Sequence, residues 1–252
     1  MKKYLISLEK DIKRRELFFS QPNTADFEIF NAINTMNENN ESLSLLFNTQ
    51  KFSLRYGRNV TKGEVGCTLS HLRVYEKIIS AQTVADNEYC LVCEDDALFT
   101  DNFQFNLDAV VKQNLTADIV LIGQSKITNF DDIELKINYP TTFSCGQKKI
   151  EETKFTYSYP YKNYFAGTVA YLIKKSAAEK ILAQLSHGQL PFWLADDYIL
   201  FGEEFKLDIM VIRPLMVIEN PNLVSNLEDL RGSLKNNMVK KLLKYPLKKL
   251  LA

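Results

Sequence analysis

Net charge is what this chain lacks most plainly: its 31 lysines and arginines are matched by 31 aspartates and glutamates. Without a basic surplus there is no global attraction to a polyanion, so no nucleic-acid partner is expected. Long hydrophobic runs are missing too. No stretch approaches the roughly 18 uninterrupted apolar residues of a bilayer span, and the short apolar run of the opening MKKYLISLEKD is broken at once by charge, unlike a secretory signal. A cytoplasmic protein is expected. Cysteine is scarce, with only Cys67, Cys90, Cys93 and Cys145. Cys90 and Cys93 have C-x-x-C spacing, but no second pair completes a zinc site and strand neighbours at that spacing face opposite ways; reduced, buried thiols are expected. Apolar residues, by contrast, make up 46% of the chain. That is enough for one large α/β core and excludes disorder.

Regular patterns alternate along the chain. Lys3 to Leu8 reads as a buried strand, Asp11 to Phe18 as a helix, and Phe27 to Ala32 as a second short strand. Residues 34 to 59 are polar, rich in Asn and carry no clear pattern. After Gly63, apolar residues at Val65, Leu69, Leu72, Tyr75, Ile78 and Ile79 predict an amphipathic helix to about Ala81. Strands follow at Tyr89 to Cys93 and Asp118 to Gly123, then an irregular stretch from Gln124 to Tyr164. Val169 to Ile173 is a strand, Ser176-Ala177-Ala178-Glu179 reads as a capping box opening a helix that ends near His187-Gly188, and Ile209 to Ile212 is the last strand. Such alternation predicts an α/β fold with a largely parallel central sheet and ligands at strand C-terminal ends.

At one such end the strand Tyr89 to Cys93 runs straight into Glu94-Asp95-Asp96. Three adjacent carboxylates repel one another unless they face water, pair with bases or bind a divalent cation. Hard oxygen ligands suit Mg²⁺ or Mn²⁺, which keep positions open for water and phosphate. On an extended chain Glu94 and Asp96 share a side and Asp95 points away; the alternative is a solvated acidic turn. The segment Gly63-Glu64-Val65-Gly66-Cys67-Thr68-Leu69-Ser70-His71 opens the preceding helix with small residues and polar side chains, suited to an anionic ligand at a helix N-terminus. A second acidic pair, Asp196-Asp197, follows aromatic residues that include the sole tryptophan, Trp193. Aromatic faces stack on sugars and a nearby carboxylate accepts a hydroxyl proton; the competing reading is an N-cap with Trp193 in the core. Gly167 and Thr168 open a strand where a ligand can approach the backbone. Asn40, Asn59 and Asn114 each begin an N-x-S/T triplet, read as chance matches in a chain with no secretory signal.

The charge that is balanced globally is unbalanced locally. From Lys235 onward there are six lysines and no acid, leaving 25 basic against 31 acidic residues in the body. Lysine pairs alternate with leucine pairs from Met238 to Leu251. This divides the chain into a body, residues 1–234, and a basic amphipathic tail, residues 235–252, that suits an anionic membrane surface.

Taken in order, the segments YLISLEKDIKRRE, GEVGCTLSHLRVYEKII, LVCEDDALF, GTVAYLIKKSAAEKIL, ADDYIL and PLMVIENPNLVSN resemble glycosyltransferase family 25, the lipooligosaccharide glycosyltransferases. The resemblance implies a GT-A-like nucleotide-sugar-binding fold, a UDP-hexose donor with galactose first and glucose second, and a lipooligosaccharide acceptor. It places Glu94 and Asp96 at a Mn²⁺ or Mg²⁺ ion, with Asp95 as the alternative partner of Asp96. It also puts Ser7, Arg15, Gly63, Glu64, Gly66, Ser70, His71, Asp95, Gly167 and Thr168 around the sugar nucleotide, and Trp193 against the acceptor. Asp196 or Asp197, with Asp197 preferred, becomes the base of an inverting transfer. Readings from other classes are a metal-dependent phosphohydrolase and a non-catalytic glycan-binding module.

Overall fold

The computed structural model describes residues 1–127, 129, 130, 135 and 146–223. Cys145 and the basic tail from 235 to 252 lie outside the described residues. Among those described, no helix is long and apolar enough to cross a membrane.

The opening β-α unit forms as its pattern predicts, with β1 at Lys3–Ser7, α1 at Ile12–Phe19 and β2 at Glu28–Asn31. The Asn-rich stretch that carried no pattern holds two short helices, α2 at Asn40–Leu46 and α3 at Thr49–Tyr56. Asparagine starts both: Asn39 and Asn48 accept from the backbone N–H groups of Ser42 and Lys51, satisfying donors that a helix start leaves open. These helices are too short to show a full apolar stripe, so their caps were the available signal. The long helix α4 spans Lys62–Ser80, and its start is a true capping box between Thr61 and Glu64. The box expected at Ser176 is absent: α6, Lys175–Ala183, begins after Lys174 with no side-chain cap, and it ends before His187, which lies in a separate 3₁₀ turn.

The remaining elements are β3 (Tyr89–Glu94), β4 (Ala97–Phe99), α5 (Phe103–Lys112), β5 (Ile119–Leu121), β6 (Gly123–Gln124), β7 (Lys148–Lys149), β8 (Thr156–Ser158), β9 (Ala170–Lys174), α7 (Tyr198–Glu203), β10 (Ile209–Arg213) and β11 (Val217–Glu219). Eight strands form one sheet in the order β2-β1-β3-β9-β5-β10-β8-β7. Six of them point the same way, and only β9 and β8 run against the rest. The α/β class and the largely parallel sheet are therefore as expected.

Both faces of the sheet are covered, which explains why β1, β3 and β9 are continuous apolar runs. Tyr4, Ile6, Cys90 and Val92 pack with α4, α6 and α7 on one face; Leu5, Leu91 and Cys93 pack with Phe18, Phe103 and Leu107 on the other. Cys90 and Cys93 are buried on opposite faces, as strand alternation requires.

One glycine fixes how α4 meets its neighbours. A Cβ on Gly66 would lie 2.7 Å from both the Ile33 carbonyl oxygen and the Thr35 hydroxyl. This glycine serves helix packing, with protein backbone occupying the space expected for a ligand. Gly66→Ala is expected to destabilise the fold by about 1–3 kcal/mol through overpacking. Urea denaturation checks this, and an unchanged midpoint would contradict it.

Candidate active site at the ends of β1 and β3

Strands β1 and β3 are parallel neighbours with Ile6 opposite Glu94, so Ser7 and the acidic tripeptide leave the sheet at one edge. The antiparallel β9 starts at that same edge. The Glu94 N–H donates to the Val169 carbonyl at 3.0 Å, and Gly167 and Thr168 are thereby brought beside Glu94. A second, three-stranded sheet in the order β4-β11-β6 closes the edge: Glu219 pairs with Ala97, and the Asn220 N–H donates to the Asp96 carbonyl at 2.7 Å.

Extended alternation stops at Glu94, because Asp95 and Asp96 form the turn between β3 and β4. The three acids consequently take different hydrogen-bond partners. Glu94 Oε1 accepts from the Thr168 hydroxyl, lies 3.2 Å from His71 Nε2, and is 3.9 Å from Cys67 Sγ. Asp95 and Asp96 share Arg14, whose Nε donates to Asp95 at 2.6 Å and whose Nη2 donates to Asp96 at 2.8 Å. Arg14 was not among the residues expected here; its neighbour Arg15 was. Arg15 turns to Ser7 Oγ (2.9 Å), the Ser7 carbonyl (3.1 Å) and Asn31 (2.8 Å).

Charge at this edge is out of balance. Burial first, then the fields of Glu94, Glu219 and Asp95, push the Asp96 carboxyl up to about 8 against the opposing pull of Arg14. Burial also raises Asp95, although Arg14 and a hydrogen bond with Ser7 oppose it. Glu94 goes the other way: burial would raise it, but His71, Thr168 and Arg14 hold it below the ordinary carboxylate range. Among the described residues, Asp96 Oδ1 is buried with no hydrogen-bond partner. A buried carboxylate oxygen left open among other acids is a donor set that fits a hard divalent cation.

Several expected ligand residues are occupied by structural work. Glu64 is buried at the start of α4, where it accepts from the Thr61 N–H at 3.0 Å and pairs with Arg58 at 2.7 Å. Its carboxylate fills the helix end that a phosphate was expected to use, so this terminus is not an open anion site. Ser70 is buried, donating to the Gly66 carbonyl (2.6 Å) and accepting from the Ile33 N–H (2.8 Å). Gly63 lies in the first turn of the same helix, half-buried. His71 is buried and meets Tyr171 Oη through Nδ1 at 2.7 Å.

The second acidic pair also separates. Asp197 is 0% exposed: Oδ2 accepts from Arg55 Nε (2.9 Å) and Tyr56 Oη (2.6 Å), while Oδ1 caps α7 at the Leu200 N–H (3.0 Å). A carboxylate so enclosed has no path to an acceptor hydroxyl, which counts against the expected role of Asp197 as base. Asp196 is half-buried and accepts from the Gly167 N–H at 3.2 Å, on the strand-start that also carries Thr168. Gly167 has φ of 74° and lies against Ser125, a conformation and a closeness that a side chain would not tolerate. Trp193 is also corrected: at 2% exposure, edge-on to Phe192 and Phe205, it offers no face to a sugar. An exposed aromatic of this segment is Phe165, 40% exposed, bridged through its backbone to Asp197 and 6.5 Å from the Tyr56 ring.

A sequence profile described as glycosyltransferase family 25 (LPS biosynthesis protein) matches residues 1–200. The chain belongs to glycosyltransferase family 25. Among relatives, it is 31% identical over 140 residues to the "Probable inactive glycosyltransferase 25 family member 3" of Rattus norvegicus, covering 54% of this chain and 21% of that protein. It is 24% identical over 137 residues to human "Procollagen galactosyltransferase 2", covering 53% of this chain and 18% of that protein. The chain thus spans about a fifth of the length of these relatives. The inositol-1-phosphate CTP transferase of T. maritima aligns over 97% of this chain and 96% of its own at 14% identity and a TM-score of 0.36.

The raised Asp96 carboxyl has a consequence for stability. Its folded-state value of about 8 lies above the unfolded aspartate value of about 4, so the folded form binds the extra proton and stability falls as pH rises between them. Asp96→Asn is therefore expected to raise the melting temperature more at pH 8 than at pH 5, with chelator present. Equal shifts at the two pH values would contradict this.

Proposed function

We propose that this family 25 member transfers a hexose, galactose before glucose, from a UDP-sugar to a hydroxyl of a lipooligosaccharide with inversion. The observation that carries the reading is the open, buried Asp96 Oδ1 among Glu94, Asp95 and Glu219 at a strand end. The name of the human relative favours galactose; that of the rat relative makes activity itself the first thing to measure.

Asp96, through Oδ1, and Glu94 would hold Mn²⁺ or Mg²⁺, which when bound offsets the charge growing on the departing diphosphate. Arg14 already holds Asp95 and one oxygen of Asp96 in place, leaving the other Asp96 oxygen for a ligand. Asp196 would accept the proton of the acceptor hydroxyl as its oxygen bonds to the anomeric carbon. The anomeric carbon's bond to the diphosphate oxygen breaks, and UDP leaves with that electron pair. Phe165, exposed and bridged to the neighbouring Asp197, would offer the acceptor an apolar face. In the sequence, the basic tail suits an anionic membrane that presents such an acceptor.

UDP release from UDP-galactose and UDP-glucose, with truncated lipooligosaccharide and with or without Mn²⁺, tests the reaction. Release that needs both acceptor and metal is expected, and is expected to vanish in Asp96→Asn. Phosphate release from simple esters would support a hydrolase in its place. Asp196→Asn is expected to lower turnover by about 10²–10⁴-fold, the usual worth of a general base. Asp197→Asn is expected instead to lower the melting temperature, and the reverse pattern would restore Asp197 as base. Deletion of residues 238–252 is expected to weaken binding to anionic vesicles while sparing turnover of a soluble acceptor; unchanged vesicle binding would remove the membrane role.

A further inference from the structure

We propose that Cys67, His71 and Glu94 form a binding site for a thiophilic divalent cation, Zn²⁺, distinct in chemistry from the hard-cation position at Asp96. Cys67 and His71 are four residues apart on α4 and therefore lie one above the other on a single helix face. That face meets the end of β3. Cys67 Sγ, a His71 ring nitrogen and a Glu94 oxygen all lie within 4.8 Å of one another. Glu94 Oε1 is 3.2 Å from His71 Nε2 and 3.9 Å from Cys67 Sγ. Tetrahedral zinc with bonds of about 2.0–2.3 Å to nitrogen, oxygen and sulfur separates its ligands by about 3.3–3.5 Å. Small side-chain adjustments bring the three atoms onto one ion.

The surroundings supply what such a site needs beyond its ligands. The second ring nitrogen of His71 is held by Tyr171 Oη at 2.7 Å, and Tyr171 is held by Tyr75 Oη at 2.8 Å. With Nδ1 protonated and donating to Tyr171, Nε2 presents its lone pair to the metal, the orienting role an outer hydrogen bond plays at zinc centres. Cys67 is half-buried, so the ion has a way in. Thr168 Oγ1, 4.0 Å from Cys67 Sγ, stands near the fourth position. A thiolate and an imidazole select Zn²⁺ over Mg²⁺ and Mn²⁺. Glu94 is shared with the proposed transfer site, but metal binding here does not depend on transferase activity.

Cobalt is the probe. Chelator-stripped full-length protein titrated with Co²⁺ is expected to develop a thiolate-to-cobalt charge-transfer band and intense four-coordinate visible bands at one ion per chain, both removed by Zn²⁺. Cys67→Ser is expected to lose the charge-transfer band. Tyr171→Phe is expected to bind about tenfold or more weakly. Asp96→Asn is expected to keep the spectrum, which separates this site from the hard-cation position even if no sugar transfer is found. Absence of the band, or its persistence in Cys67→Ser, overturns the assignment. Should Cys67→Ser fail to fold, iodoacetamide labelling of the parent decides: Zn²⁺ is expected to protect Cys67, and equal labelling with and without Zn²⁺ overturns the site.

Discussion

Negative charge gathered at the end of β3 is the constraint around which the rest of the molecule is arranged. Glu94, Asp95 and Asp96 are consecutive, Glu219 is delivered next to them by β11, and Arg14 is the guanidinium that pairs with two of the four. In water such a cluster costs little. At a part-buried sheet edge each charge must find a donor or give up its ionisation. The fold supplies those donors from separate elements: Arg14 from α1, His71 and Cys67 from α4, Thr168 from the strand-start before β9. The supply falls short at Asp96, whose Oδ1 is left without a hydrogen-bond partner, and that shortfall is the reason a cation is proposed there.

The sheet topology makes this convergence possible. Parallel β1 and β3 carry Ser7 and the acids out at the same edge, while antiparallel β9 brings Gly167 and Thr168 back to it. Had β9 run parallel to β3, its start would lie at the opposite edge and Glu94 would lose Thr168. Asp196 depends on the same reversal, since it is the Gly167 N–H that it accepts from. The carboxylate proposed as base and the carboxylates proposed for the donor are thus tied through two consecutive residues, which limits how far one can move relative to the other.

Strand positions were the most legible part of this chain, because β1, β3 and β9 are buried on both faces and read as continuous apolar runs. The acidic edge was legible for the same reason: a run of Val and Cys ending in three acids marks where burial stops. Partner choice was not. Arg14 and Arg15 are adjacent, and which of them meets the acids depends on helix phase about α1, which a dipeptide does not reveal. Asp196 and Asp197 posed the same problem, since the sequence did not show that the turn before α7 makes Asp197 the cap. Trp193 failed through a different cause, since an aromatic beside acids looks alike in sequence whether it faces solvent or Phe205.

The GEVGCTLSH segment shows how scaffold and chemistry occupy one helix. Glu64, Gly66 and Ser70 hold the helix start and the loop carrying Ile33 and Thr35, while Cys67 and His71 project toward β3. The division follows helix geometry: residues four apart share a face, and Cys67 with His71 is such a pair, as is Gly66 with Ser70. Small residues next to a glutamate therefore do not imply a phosphate loop here, because the glutamate already closes the helix start and Gly66 lets backbone approach backbone. Packing on the Gly66 side sets the depth at which α4 sits against the sheet. That depth in turn bears on the separation of His71 Nε2 from Glu94 Oε1, so the geometry of the acidic edge depends in part on contacts of the neighbouring helix face.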